Sequence, residues 1–79
     1  MLRKARALRE SLGLSLLDVA KGLTKLTPQS LARFETGRHL LRYDTLKELA
    51  GFYAERSGHS IDIDNDLVAP EHPEVVSAR

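Results

Sequence analysis

Seventy-nine residues suffice for one small domain with a limited core, and chains of this size are often helped by assembly. With no cysteine, disulfides and thiolate metal sites are excluded. The formal net charge of +1 hides an asymmetry: residues 1–42 hold nine Lys/Arg against three acids, a net of +6, and residues 43–79 hold three against eight, a net of −5. A basic half suits a polyanionic partner, and the acidic half is then expected to face away from it. No stretch is long and apolar enough to span a bilayer, and the basic N-terminus lacks the apolar core of a secretory signal. The expectation is a soluble cytoplasmic protein without membrane partners.

In chain order, Leu2 to Ser11 reads as a first helix. Ala5, Leu8 and Leu12 recur on one side, and Arg3, Lys4 and Arg6 occupy the rest. Those bases are either a solvated face or, as a group, contacts to phosphate. Gly13 stops the helix, and Leu14 is expected to plug the core from the loop. Ser15 with Asp18 three residues on makes a capping-box pair, opening a second helix from about Leu16 to Leu23. Val19, Ala20 and Leu23 share one of its faces.

Thr24-Lys25-Leu26 breaks the pattern. Thr27-Pro28 then starts a third helix, with a hydroxyl N-cap followed by proline at the first helical position. Leu31 and Phe34 form its narrow apolar stripe, and Gly37 ends it as a left-handed cap. Two short helices around a tight turn make a helix-turn-helix. Gln29, Ser30 and Arg33 point away from the stripe. Glutamine can pair twice with adenine and arginine twice with guanine in the major groove.

Tyr43 to about Arg56 reads as the last long helix, with Leu46, Leu49, Ala50 and Tyr53 facing the core. Phe52 lies off that stripe, which suits either partial burial or a subunit contact. After Ser57-Gly58, Ile61 and Ile63 alternate with Asp62 and Asp64, a short strand signal. Asp62, Asp64 and Asp66 match the first ligand spacings of a calcium loop. Leu67 and Pro73 then stand where its glycine and glutamate belong, so no calcium site is expected. His39, His59 and His72 show no zinc spacing. No metal or cofactor is expected, and Ala69 to Arg79 reads as a disordered tail.

The run Thr27-Pro28-Gln29-Ser30-Leu31-Ala32-Arg33-Phe34-Glu35-Thr36-Gly37 resembles the recognition helix of the phage-repressor and Cro-like (XRE) helix-turn-helix proteins. The similarity extends to Leu8-Arg9, Gly13-Leu14-Ser15, Val19-Ala20, Thr45-Leu46 and Leu49-Ala50, roughly the first two-thirds of the chain. The resemblance implies an all-α, lambda-repressor-like domain of four to five helices over residues 1–57. Residues 58–68 would add a short dimerisation strand and residues 69–79 a disordered tail. It also implies that Arg9 pairs with Glu35. A carboxylate beside a DNA backbone needs a cation to hold it, and an Arg–carboxylate pair can be bidentate. Two departures stand out. Leu16 replaces a glutamine that often contacts phosphate in the family, and the span from Ala20 to Leu31 is one residue longer than usual.

These readings assign base contacts to Pro28, Gln29, Ser30 and Arg33. Phosphate contacts fall to Lys25, Thr27, Arg38, His39 and Arg42, and a dimer contact to Phe52, Ile61 and Ile63. The expected function is that of a transcriptional regulator, a repressor or operon autoregulator. It would bind a near-palindromic double-stranded operator as a homodimer, with two recognition helices roughly 34 Å apart. One alternative is an antitoxin whose acidic tail covers a cognate toxin. Another is a protein-interaction module that binds no DNA. No catalytic constellation is present in the sequence: no nucleophile elbow, phosphate-cradling glycine loop or paired carboxylates on rigid structure.

Overall fold

Local capping signals place four α-helices and one wider helical turn in residues 2–71, the part of the chain that the computed structural model describes. They are α1 (Lys4–Ser11), α2 (Leu16–Lys21), α3 (Pro28–Glu35), α4 (Tyr43–Ser57) and a π-type turn (Ile63–Val68). At the start of α2 the Ser15 hydroxyl accepts from the Asp18 N–H, and the Asp18 carboxylate accepts from the Ser15 N–H, both at 3.0 Å. These bonds hold the Asp18 carboxyl below the usual range. At the start of α3 the Thr27 hydroxyl accepts from the Ser30 N–H at 3.1 Å, and Pro28 opens the first turn.

Helices α1 and α3 end alike. Leu14 N–H bonds Arg9 O and Gly13 N–H bonds Glu10 O; Arg38 N–H bonds Arg33 O and Gly37 N–H bonds Phe34 O. Each is a Schellman closure, and Gly13 and Gly37 supply the required positive φ of 71° and 79°.

The core lies where the apolar stripes of α1, α2, α3 and α4 converge. Ala5, Val19, Leu31, Phe34, Leu49 and Tyr53 are fully buried there, and Leu8, Leu14, Leu16 and Leu23 pack against them. Leu26, within the break between α2 and α3, is buried too and anchors that turn to the core. Leu16, the departure from the family pattern, thus contributes packing.

Beyond α4 the chain departs from the sequence reading. Among the described residues there is no strand. The expected strand over Ile61 and Ile63 is replaced by an irregular approach and the Ile63–Val68 turn. The aspartates explain why. One Asp62 carboxylate oxygen accepts from Asp64 N–H at 3.0 Å, and Asp66 accepts from Asp62 N–H at 2.9 Å. Backbone donors that a ladder would need are taken locally. The turn drives Leu67 fully into the core, while Ile61 and Ile63 pack half-buried on its edge. These isoleucines, expected in a dimer strand, are used within the subunit.

Phe52 is likewise used internally. Its ring lies where a Cβ on Gly22 would stand, and the Arg56 guanidinium covers it at 3.8 Å from the centroid. The segment expected to be a disordered tail begins instead with an ordered pairing. Lys4 N–H bonds Ala69 O and Glu71 N–H bonds Leu2 O, both at 2.8 Å, around an antiparallel bridge of Arg3 with Pro70. The rest of that segment, from His72 to Arg79, lies outside the described residues.

Candidate nucleic-acid interface

The two faces of α3 differ completely in burial. Leu31 and Phe34 lie in the core, whereas Gln29 and Arg33 are exposed on the outside. Pro28 and Ser30 are half-buried at the helix start. The Ser30 hydroxyl accepts from the Thr27 hydroxyl at 3.0 Å and keeps its own proton free to donate. Gln29 and Arg33 make no side-chain bond or ion pair among the described residues, and both project long polar side chains into solvent from the helix.

Around α3 lie the other residues singled out from the sequence. Thr27, Arg38, His39 and Arg42 are exposed in the turns that flank it. Lys25 is exposed in the turn between α2 and α3, and its Nζ lies 3.6 Å from Asp44 Oδ2. Arg42 Nε lies 3.8 Å from the other Asp44 oxygen. Asp44 therefore bridges two of the bases. Its own carboxyl is held below the usual range, first by the Thr45 N–H and then by these cations. Exposed pairs of this kind are weak and exchange readily for other anions.

Beneath this surface, α3 is tied to α1 by one ion pair. Arg9 Nε donates to Glu35 Oε2 at 2.8 Å and Arg9 Nη2 to Glu35 Oε1 at 3.0 Å. The third arm of the fork, Nη1, donates to Leu14 O at 2.8 Å. Glu35 is only 2% exposed, and both its oxygens are spent on this one partner. The hydrogen bond to Glu35 raises the Arg9 pKa, so the guanidinium stays charged despite its burial. Tyr53 lies against the pair. Its hydroxyl is buried without a hydrogen-bond partner among the described residues, and burial, then the Glu35 charge, push the phenol pKa up.

Sequence reasoning left two features of this region unseen. One is the Tyr53 hydroxyl beneath the ion pair; periodicity places the ring in the core but says nothing of its neighbours. The other is Arg3, which is spent inside the fold. Its Nε donates to Phe34 O at 2.8 Å, and its Nη1 donates to Val68 O at 2.9 Å. No local signal separates Arg3 from Lys4 or Arg6.

Taken together, the arrangement is a short, firmly seated helix with an exposed Gln/Arg face, flanked by turns that carry exposed bases. Such a unit can lie in a major groove with its flanks on phosphates. No helix among the described residues is long and apolar enough to cross a membrane. No solved structure gives a significant match to the chain. The sequence does match the helix-turn-helix family model over residues 6–58, from within α1 to the end of α4. That span is well over half of the chain and contains the whole α2–turn–α3 unit, and the protein belongs to the XRE/Cro-type helix-turn-helix family, whose domains bind DNA.

Proposed function

We propose that this protein is a sequence-specific transcriptional regulator that binds a near-palindromic operator as a homodimer. The observation that carries the reading is the outer face of α3, where Gln29 and Arg33 stand exposed on a helix whose other face is core. Gln29 and Arg33 read base edges, with Pro28 and Ser30 at the groove edge of the helix start. Lys25, Thr27, Arg38, His39 and Arg42 set the register on phosphates. Asp44 holds Lys25 and Arg42 until phosphate replaces it. Two copies place their α3 helices roughly one duplex turn apart.

The second copy needs an apolar contact. Phe52, Ile61 and Ile63 pack half-buried within the subunit, whereas Leu40 and Tyr43, at 63% and 68% exposure, stand more open where α3 connects to α4. We place the contact there. Selecting bound sequences from random duplex DNA tests the reading. A palindromic consensus is expected. Retention of all sequences alike, or an asymmetric consensus matched by monomeric sedimentation, would overturn the operator-dimer reading.

A further inference from the structure

Helix α3 ends with four carbonyls that have no partner within the helix, as every helix does. Two are closed locally: Ala32 O accepts from Thr36 N–H, and Arg33 O from Arg38 N–H. The other two both reach residue 3. Phe34 O accepts Arg3 Nε at 2.8 Å in addition to Gly37 N–H, and Glu35 O accepts the Arg3 backbone N–H at 2.8 Å. The guanidinium also stands over the Phe34 ring, 5.0 Å from its centroid. Its Nη1 crosses to Val68 O at 2.9 Å, on the turn that carries Leu67 into the core. Arg3 and Val68 both lie outside residues 6–58, the span that matches the family.

We propose that Arg3 is a positioning residue for the recognition helix, a clasp that locks the C-terminal end of α3 to the segment beyond residue 58. The inference rests on the DNA-reading role proposed for α3. The chemistry requires arginine in particular. A guanidinium offers several donors in a fixed planar fork and can reach two carbonyls at once while stacking on a ring, whereas lysine is a point charge on a flexible stem. A cation at this position also faces the negative end of the α3 dipole. Arg33 lies in the last turn of the same short helix and Gln29 about one turn before it, so the set of that last turn fixes where their side chains arrive. Arg3 itself has two of its side-chain nitrogens committed to carbonyls and is not a phosphate contact.

The test compares wild type, Arg3→Lys and Arg3→Met at a temperature where circular dichroism shows all three folded. Two readouts are taken. One is amide hydrogen exchange at Gly37 and Arg38, which close the end of α3. The other is the ratio of affinity for the selected operator to affinity for random duplex, across a salt series. Both variants are expected to exchange faster at those two amides. Their operator-to-random ratio should fall by about 5–10-fold, the scale of one lost base contact, with the salt slope unchanged. Arg3→Lys is the decisive variant because it keeps the charge. A Lys variant with wild-type exchange and selectivity overturns the clasp. A salt slope reduced by about one, with all duplexes weakened alike, overturns it in favour of a direct phosphate contact. A lowered unfolding midpoint with unchanged selectivity overturns positioning in favour of plain stabilisation. If wild type selects no sequence, the proposed function fails, and exchange at Gly37 and Arg38 still decides the clasp.

Discussion

Gln29 and Arg33 differ from Arg38 in what they can distinguish. The first two project from α3, where a fork or an amide can match base edges; Arg38 follows the cap glycine and is proposed to meet only the backbone of a duplex. Replacing Gln29 or Arg33 with alanine is expected to weaken operator binding by about 1–3 kcal/mol and to relax preference at one position of each half-site. Arg38→Ala should weaken operator and random DNA alike and lower the salt slope by about one. Competition titrations against both duplexes separate the two behaviours. Tyr53 makes a different prediction. Its buried hydroxyl has no partner among the described residues, so Tyr53→Phe removes a desolvated group and leaves the ring packing intact. Stability near neutral pH should rise by about 1 kcal/mol in denaturant titrations. The pH dependence has a definite sign. Burial raises the phenol pKa in the folded state, so the folded protein holds that proton more tightly than the unfolded chain does. This contribution is fully present below the ordinary phenol pKa of about 10 and is lost as pH rises beyond it. Wild type should therefore lose stability above about pH 10 more steeply than Tyr53→Phe. Parallel alkaline titration curves for the two proteins would contradict this.

Between elements, the Arg9–Glu35 pair decides how α1 and α3 meet. Glu35 sits in the last turn of α3 at 2% exposure, and among the described residues Arg9 is the cation that takes both its oxygens. Removing either partner strands the other in a dry environment, at a cost of about 3–5 kcal/mol. Removing both strands nothing. The double alanine variant is thus expected to lose clearly less than the sum of the singles, in unfolding free energy and in operator affinity. Additive losses would mean that the two side chains act independently. The cap at the end of α1 feeds the same contact. The Schellman closure after α1 brings Leu14 back towards the core, where Leu14 O receives the third arm of Arg9.

Across the whole molecule, the separation of charge along the chain does not become a separation in space. Asp44 from the acidic half stands between Lys25 and Arg42 of the basic half, and Glu71 lies 3.3 Å from Arg6. The expected division into a basic DNA side and an acidic far side is thus interrupted where Asp44 meets the proposed phosphate contacts. Asn at position 44 would keep the oxygen that accepts the Thr45 N–H and remove the charge. Asp44→Asn is expected to raise affinity for every duplex by about 2–5-fold at low salt and to steepen the salt slope, leaving the sequence preference untouched. A gain confined to the operator would show that Asp44 takes part in reading bases.

Ser15 with Asp18, Thr27 with Pro28, and the glycines at 13, 37 and 58 were sufficient, as sequence, to set the starts of α2 and α3 and the ends of α1, α3 and α4, whereas α2 stops at Lys21, short of the expected Leu23. Each acts through bonds within one turn of its own position, and the structure makes those bonds. The apolar stripes of α3 and α4 were legible for a similar reason, since 3.6-residue periodicity is itself a statement about faces. The outward placement of Gln29 and Arg33 followed with them. Tertiary structure decided the rest. Ile61 to Asp64 has the alternation of a strand, yet a strand needs a partner, and the nearby carboxylates of Asp62 and Asp66 take its donors instead. Phe52 went to Gly22 because only a residue without a Cβ leaves room for its ring. Arg3 became distinct from its basic neighbours through bonds to residues 31 and 65 positions away in the chain. Short-range pattern carries no information about contacts at that separation; they exist only once the helices have packed and brought residues 3 and 68 to the end of α3.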